Sequence, residues 1–151
     1  MSKEDDHLLI ACLKPFDLDI QERVLWLREI IWDWFPHTNE LIFDNSNALT
    51  VGWTPTAKTS LIFCSLSVIR SNGNVQFGFY RGTEISDPRK LLKGKSGQYR
   101  YLHVKKMEEF PIGYAGDLAG EAYLNAAGMI RTNLDYPKGQ TIVKTVSFHK
   151  F

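Results

Sequence analysis

VQFGFYRGTEISDPRKLLKGKSGQYRYLHVKK, residues 75–106, is the stretch whose reading decides the fold. It opens with Val75, Phe77 and Phe79 alternating against Gln76, Gly78 and Tyr80, the period of a strand with one buried face. It closes with a second alternating run, residues 99–104. Between the two, Asp87-Pro88 predicts a short helical turn, because Asp caps free N–H groups and Pro at the first helical position lacks one. Leu91 and Leu92 anchor that turn to the core, and Gly94 ends it in a left-handed conformation. The stretch also concentrates charge: residues 81–106 hold eight basic side chains against Glu84 and Asp87, net +6.

Upstream, the period shifts from helix to strand. Residues 18–35 carry Ile20, Val24, Leu27, Ile31 and Trp34 at spacings of four, three, four and three, the apolar stripe of an amphipathic helix. Asp17 precedes it as a candidate cap and Pro36 ends it. Residues 8–13 read as a short lead-in that packs under this helix. Strands follow at 40–43, 48–53 and 60–69, separated by turn residues such as Asp44-Asn45-Ser46-Asn47 and Ser71-Asn72-Gly73-Asn74. Links this short demand antiparallel neighbours, since a parallel link needs about a dozen residues or more.

Downstream, residues 111–116 break the chain. Asp117 then caps a second helix over 118–131, with Ala119, Tyr123, Ala126 and Ile130 on one face. Gly120 and Gly128 inside it point to close packing against something bulky, the tryptophan-rich first helix. Residues 133–140 form a loop, and 141–148 alternate again, offering an edge strand to this sheet or to a partner subunit in a homodimer. The expected fold is therefore α+β in two layers: a five-stranded antiparallel sheet, an extra C-terminal edge strand as an option, and the N- and C-terminal helices on one face. The chain reads as a single domain over 1–151, with 1–16 as lead-in and 133–151 as extension.

Composition limits the function classes. The 151 residues carry a net charge of +1, but residues 1–50 hold four basic and ten acidic groups and the remainder fourteen and seven, a strongly dipolar distribution. Two cysteines in no paired spacing suit a reducing compartment, and the acidic N-terminus lacks the bases of a signal peptide. No run approaches the ~20 apolar residues that span a bilayer. The reading is a cytoplasmic protein without a membrane partner. Nucleic acid is an unfavoured partner, because the acidic N-terminal third repels a phosphate backbone.

No enzymatic motif is complete. Gly94-Lys95-Ser96 lacks the earlier glycine of a phosphate-binding loop, Arg89 standing in its place. The histidines at 7, 37, 103 and 149 show no metal-ligand spacing. Two constellations remain. Arg81 and Arg100 flank the basic loop that carries Lys95, and three cations there can hold a phosphate or carboxylate; the competing reading pairs one of the arginines with Asp87 or Glu84, or with backbone, to pin the loop. On the first helix Asp19, Glu22, Glu29 and Asp33 share a sector with Trp26, with Glu40 and Asp44 following on the first strand. Such carboxylates can hold a hard cation weakly, while the ordinary reading is a solvated helix face.

The order helix, five strands, helix, with Asn47-Ala48-Leu49, Phe79-x-Arg81-Gly82, Asp87-Pro88 followed by Leu91-Leu92-x-Gly94, and Arg100 after the glycine loop, resembles the bacterial YdhG-like domain-of-unknown-function family over roughly residues 17–150. The resemblance implies a two-layer α+β fold related to frataxin. Through the iron-chaperone label that some members carry, it also implies weak iron binding, for which the acidic helix face is the candidate that the residue spacing offers. The expectation is a non-enzymatic binding or carrier protein for iron. The alternatives are a small anionic metabolite beside Arg81 and Arg100, or a dimerising interaction domain.

Overall fold

Alternation and short turns produce a meander. The computed structural model describes residues 6–130 and 138–146. Strands β1 (Asn39–Asp44), β2 (Ala48–Thr54), β3 (Cys64–Ile69), β4 (Val75–Phe79) and β5 (Arg100–His103) run in chain order, each antiparallel to the next. Helix α1 (Asp6–Leu13) and helix α2 (Leu18–Trp34) precede them, and α3 (Ile112–Ala127) follows. The last strand, β6 (Thr141–Val146), lies parallel to β1, giving the order β5-β4-β3-β2-β1-β6.

The five expected antiparallel strands are joined by the optional C-terminal edge strand, and because β6 pairs parallel to β1 the sheet is six-stranded and mixed. The link from β5 to β6 contains α3, which is long enough to carry the chain back to the β1 edge and allow a parallel pairing. Docking begins before β6 itself, where Gly139 N donates to Thr38 O (2.9 Å), Glu40 N to Gln140 O (2.8 Å) and Gln140 N to Asn39 Oδ1 (3.0 Å). The tail strand is thus used within its own chain; the expected continuation over 147–148 lies outside the described residues.

One core unites helices and sheet. Leu49, Val51 and Trp53 of β2, Leu66 and Val68 of β3, and Val75, Phe77 and Phe79 of β4 face α2 and α3. Ring pairs join the layers: Trp32 meets Trp53 edge-on at 6.4 Å, and Tyr123 meets Phe63 edge-on at 5.3 Å. Leu9 and Leu13 of α1 are fully buried in the same core. The opposite sheet face is more polar. There Thr50 bonds Ser67 (3.0 Å), and Tyr99 lies over Gly78 with its hydroxyl donating to Gln76 (3.0 Å). Burial, with Tyr80 as neighbour, pushes the Tyr99 phenol well above its ordinary pKa.

Two helix readings change. The buried row of α2 is Ile20, Val24, Leu27, Arg28, Ile31 and Trp32, while Trp34 is only half-buried. Asp17 stands at the N-cap position, yet its side chain makes no cap bond; its carbonyl accepts from Gln21 N at 3.0 Å. Helix α3 starts six residues earlier than expected, so Gly113, Gly116 and Asp117 are interior. The bulky partner is indeed on α2, but the small residue is Gly116. A Cβ there would sit 3.0 Å from the Trp34 ring, whereas one at Gly120 would meet nothing within 4 Å. The helix ends at Ala127, and residue 131 lies outside the described residues.

The rotation of α2 follows from Arg28. Its Nε and Nη2 donate to Glu40 Oε2 (2.6 Å) and Oε1 (2.8 Å), and both side chains are almost wholly buried. Thr141 Oγ1 of β6 donates to the same Glu40 Oε1 at 2.7 Å. Glu40 therefore leaves the acidic face on which the sequence placed it, because Ile42 fixes the inward side of β1 and Glu40 shares its parity. Asp44 leaves it too, paired with Arg70 Nη2. Replacing Arg28 by Met leaves a buried, unpaired carboxylate and should cost about 3–5 kcal/mol, most of it recovered in Arg28→Met/Glu40→Leu. Urea denaturation measures both; a single variant that unfolds at the wild-type midpoint contradicts this assignment.

Candidate functional site

Arg81, Lys95 and Arg100 all belong to the 80–100 segment, and the two arginines have different partners. Arg100 turns back on its own loop, Nη1 donating to Tyr99 O (2.7 Å) and Gly97 O (3.1 Å). The backbone form of loop pinning is therefore the one present. Its aliphatic stem lies across Gly82, where an added Cβ would sit 2.4 Å from Arg100 Cβ; only glycine admits that contact. Lys95 is exposed at the loop tip. Among the described residues neither arginine pairs with Asp87 or Glu84.

Asp87 has a different task. It adopts φ 43° and Lys90 φ 55°, so the expected helical turn is a single β-turn, closed by Lys90 N on Asp87 O at 2.9 Å. A left-handed Lys90 stops any helix there. The Asp87 carboxylate accepts from Leu91 N (3.0 Å) and Leu92 N (3.1 Å), four and five residues on, and from the Tyr114 hydroxyl of α3. The loop is thereby clamped to α3 at one end. At the other, Lys93 and Tyr101 exchange both backbone bonds, at 2.8 and 3.0 Å.

Arg81 lines a cavity. The chain leaves β4 at Phe79, and the 3-10 turn Gly82–Glu84 directs Ile85 inward. Ala122 and Ala126 of α3, with Met129 just beyond its end, cover this corner, and the β2–β3 connection closes it with Leu61 and Phe63. The hollow measures about 20 Å³, a little more than the ~10–15 Å³ that one water needs. Its walls are apolar apart from Arg81, Asn125 and Ser60. Arg81 is exposed, and its Nη1 donates to Met129 Sδ at 3.2 Å. Sequence reading found the arginine and missed the cavity, because the walls come from three segments separated by tens of residues.

The acidic face of α2 is more dispersed than its helical wheel suggests. Asp19 is engaged by Arg23, with Nη2 to Oδ2 at 3.4 Å and Nε to the Asp19 carbonyl at 3.2 Å. Glu22, Glu29 and Asp33 are exposed. Trp26 is half-buried, edge-on to Phe110 at 6.2 Å, and so does not stand among the acids in solvent. Among the described residues no three His, Cys, Asp or Glu side chains converge into a metal-binding group.

No family model, curated protein or solved structure matches this chain. The geometry alone therefore bears on function. Among the described residues no helix is long and apolar enough to cross a membrane. Chemically, the Arg81 corner offers one cation over an apolar hollow, a pairing suited to recognising an amphiphilic anion.

The clamp that shapes this loop is testable by itself. Asp87→Ala removes two backbone acceptor bonds and places a Cβ residue without side-chain compensation at a positive φ. It should cost roughly 1–3 kcal/mol and accelerate amide exchange at Leu91 and Leu92. Unchanged exchange at those two amides contradicts the clamp.

Proposed function

We propose that the protein binds a small organic acid, with the carboxylate on Arg81 and a short aliphatic tail in the cavity beneath α3. One observation carries the reading: an exposed guanidinium at the rim of an apolar hollow spends its donor on a thioether. Methionine sulfur is a weak acceptor, whereas a carboxylate accepts charge-assisted, often bidentate bonds from arginine. Exchanging one for the other is favourable, and an unbranched Met129 side chain moves aside at little cost. The small hollow favours a tail of about two carbons. Asn125 at the lining offers a further donor to a carboxylate oxygen.

Each buried methylene contributes about 0.8 kcal/mol. Propionate should therefore bind roughly fourfold more tightly than acetate, with benzoate rejected by size. NMR titration at constant ionic strength, following the Met129 methyl group, reads this directly. Arg81→Met should abolish saturable binding while leaving stability nearly unchanged, because Arg81 is exposed and makes no ion pair among the described residues. Equal affinity for acetate and propionate, or binding that survives Arg81→Met, removes the proposal.

The family resemblance implies weak iron binding, with iron as cargo, and Asp19, Glu22, Glu29 and Asp33 are the carboxylates that the helical period of α2 offers for it. The geometry lends it less support, since Asp19 is already paired and the carboxylates sit on a convex helix surface. Anaerobic calorimetry with Fe²⁺ should give equal heats for wild type and Asp19→Asn/Glu22→Gln/Glu29→Gln/Asp33→Asn. A heat lost only in the variant restores the iron reading.

A further inference from the structure

A second cationic feature lies on the far side of the clamped loop, built from residues outside the Arg81 corner. Lys90 and Lys93 from the loop, Lys105 just beyond β5, and His103 on β5 surround a depression of about 360 Å³. Its floor is apolar, formed by Leu91, Leu102 and Pro111. None of the three lysines pairs with a carboxylate among the described residues.

The placement is rigid at the backbone. Lys90 is held left-handed in the turn closed on Asp87, and Lys93 is tied to Tyr101 by two backbone bonds. Beyond His103, the Val104 and Lys105 carbonyls accept from Arg23 Nη1 at 2.7 and 3.1 Å. Three like charges that line one depression favour a bound anion, which relieves their mutual repulsion.

We propose that this depression binds a phosphate monoester, the dianionic phosphate among Lys90, Lys93 and Lys105 and the esterified group on the Leu91–Leu102–Pro111 floor. A dianion matches three cations better than the single charge of a carboxylate or a phosphodiester does. The apolar floor adds area that inorganic phosphate cannot use. The His103 imidazole reports the local potential. Burial, then Lys105 and Lys93, hold its pKa below the ordinary value, and the Tyr101 ring lies edge-on to it at 5.2 Å. An anion that offsets the lysines raises that pKa, so binding takes up protons where His103 titrates.

The test is a pH titration of the His103 ring by NMR at constant ionic strength, with chloride, inorganic phosphate, phenyl phosphate or dimethyl phosphate. Saturable binding of inorganic phosphate with a raised His103 pKa is expected, with phenyl phosphate tighter and dimethyl phosphate, the mimic of a nucleic-acid backbone, no better than chloride. Lys93→Gln/Lys105→Gln should weaken phosphate binding many-fold, and Lys58→Gln, an exposed lysine of the β2–β3 connection, should leave it unchanged. Shifts that never saturate, dimethyl phosphate binding as well as phenyl phosphate, or full binding in Lys93→Gln/Lys105→Gln each overturn the proposal.

Discussion

The bidentate pair between Arg28 and Glu40 is the contact on which the rest of the arrangement depends. Two charges removed from water are costly, and only full hydrogen bonding offsets the cost. Both guanidinium bonds are short, and Thr141 supplies the carboxylate with a third donor. The three residues come from α2, β1 and β6. A helix that must keep Arg28 on Glu40 cannot rotate to bury Trp34 in place of Trp32. A first strand that must keep Glu40 inward cannot slip by one residue against β2, because every side chain would change faces.

That constraint reaches the Arg81 corner through α3. With α2 fixed, the Trp34 ring lies against Gly116, where an added Cβ would sit 3.0 Å from it, so the two helices approach closely at that point. Farther along α3, Tyr123 stacks on Phe35 at 5.5 Å and meets Phe63 edge-on. The final turns of α3 then come over Phe79 and Ile85, and the hollow is what their small alanines leave unfilled. Leucine at Ala122 or Ala126 would occupy it. Arg81 stands at the rim because β4 ends at Phe79 and the 3-10 turn begins at Gly82.

Much of the scaffold could be read from local pattern. Period two located all five meander strands to within a few residues, and short turns required them to be antiparallel. What escaped depended on distant partners. Arg28 sits one residue beyond Leu27 in the buried row, and Glu40 shares parity with Ile42; each looked like a surface charge until the other was placed opposite it. The start of α3 was obscured by Gly113 and Gly116, residues that disfavour helix locally, yet the second lies against the Trp34 ring, where a side chain would crowd it. The parallel pairing of β6 followed from a crossover, which alternation in residues 141–148 does not encode. Arg81 was found as a charge near a loop, but its setting over an apolar hollow needed α3 in place.

The account turns on whether Arg81 holds a carboxylate over that hollow. A crystal structure of the protein grown with propionate, refined against one grown without it, tests this most directly. The prediction is density for the acid with its carboxylate on the Arg81 guanidinium, its tail between Phe79 and Ala126, and Met129 displaced. A filled crystal in which Arg81 still contacts Met129 and the hollow stays empty would contradict it.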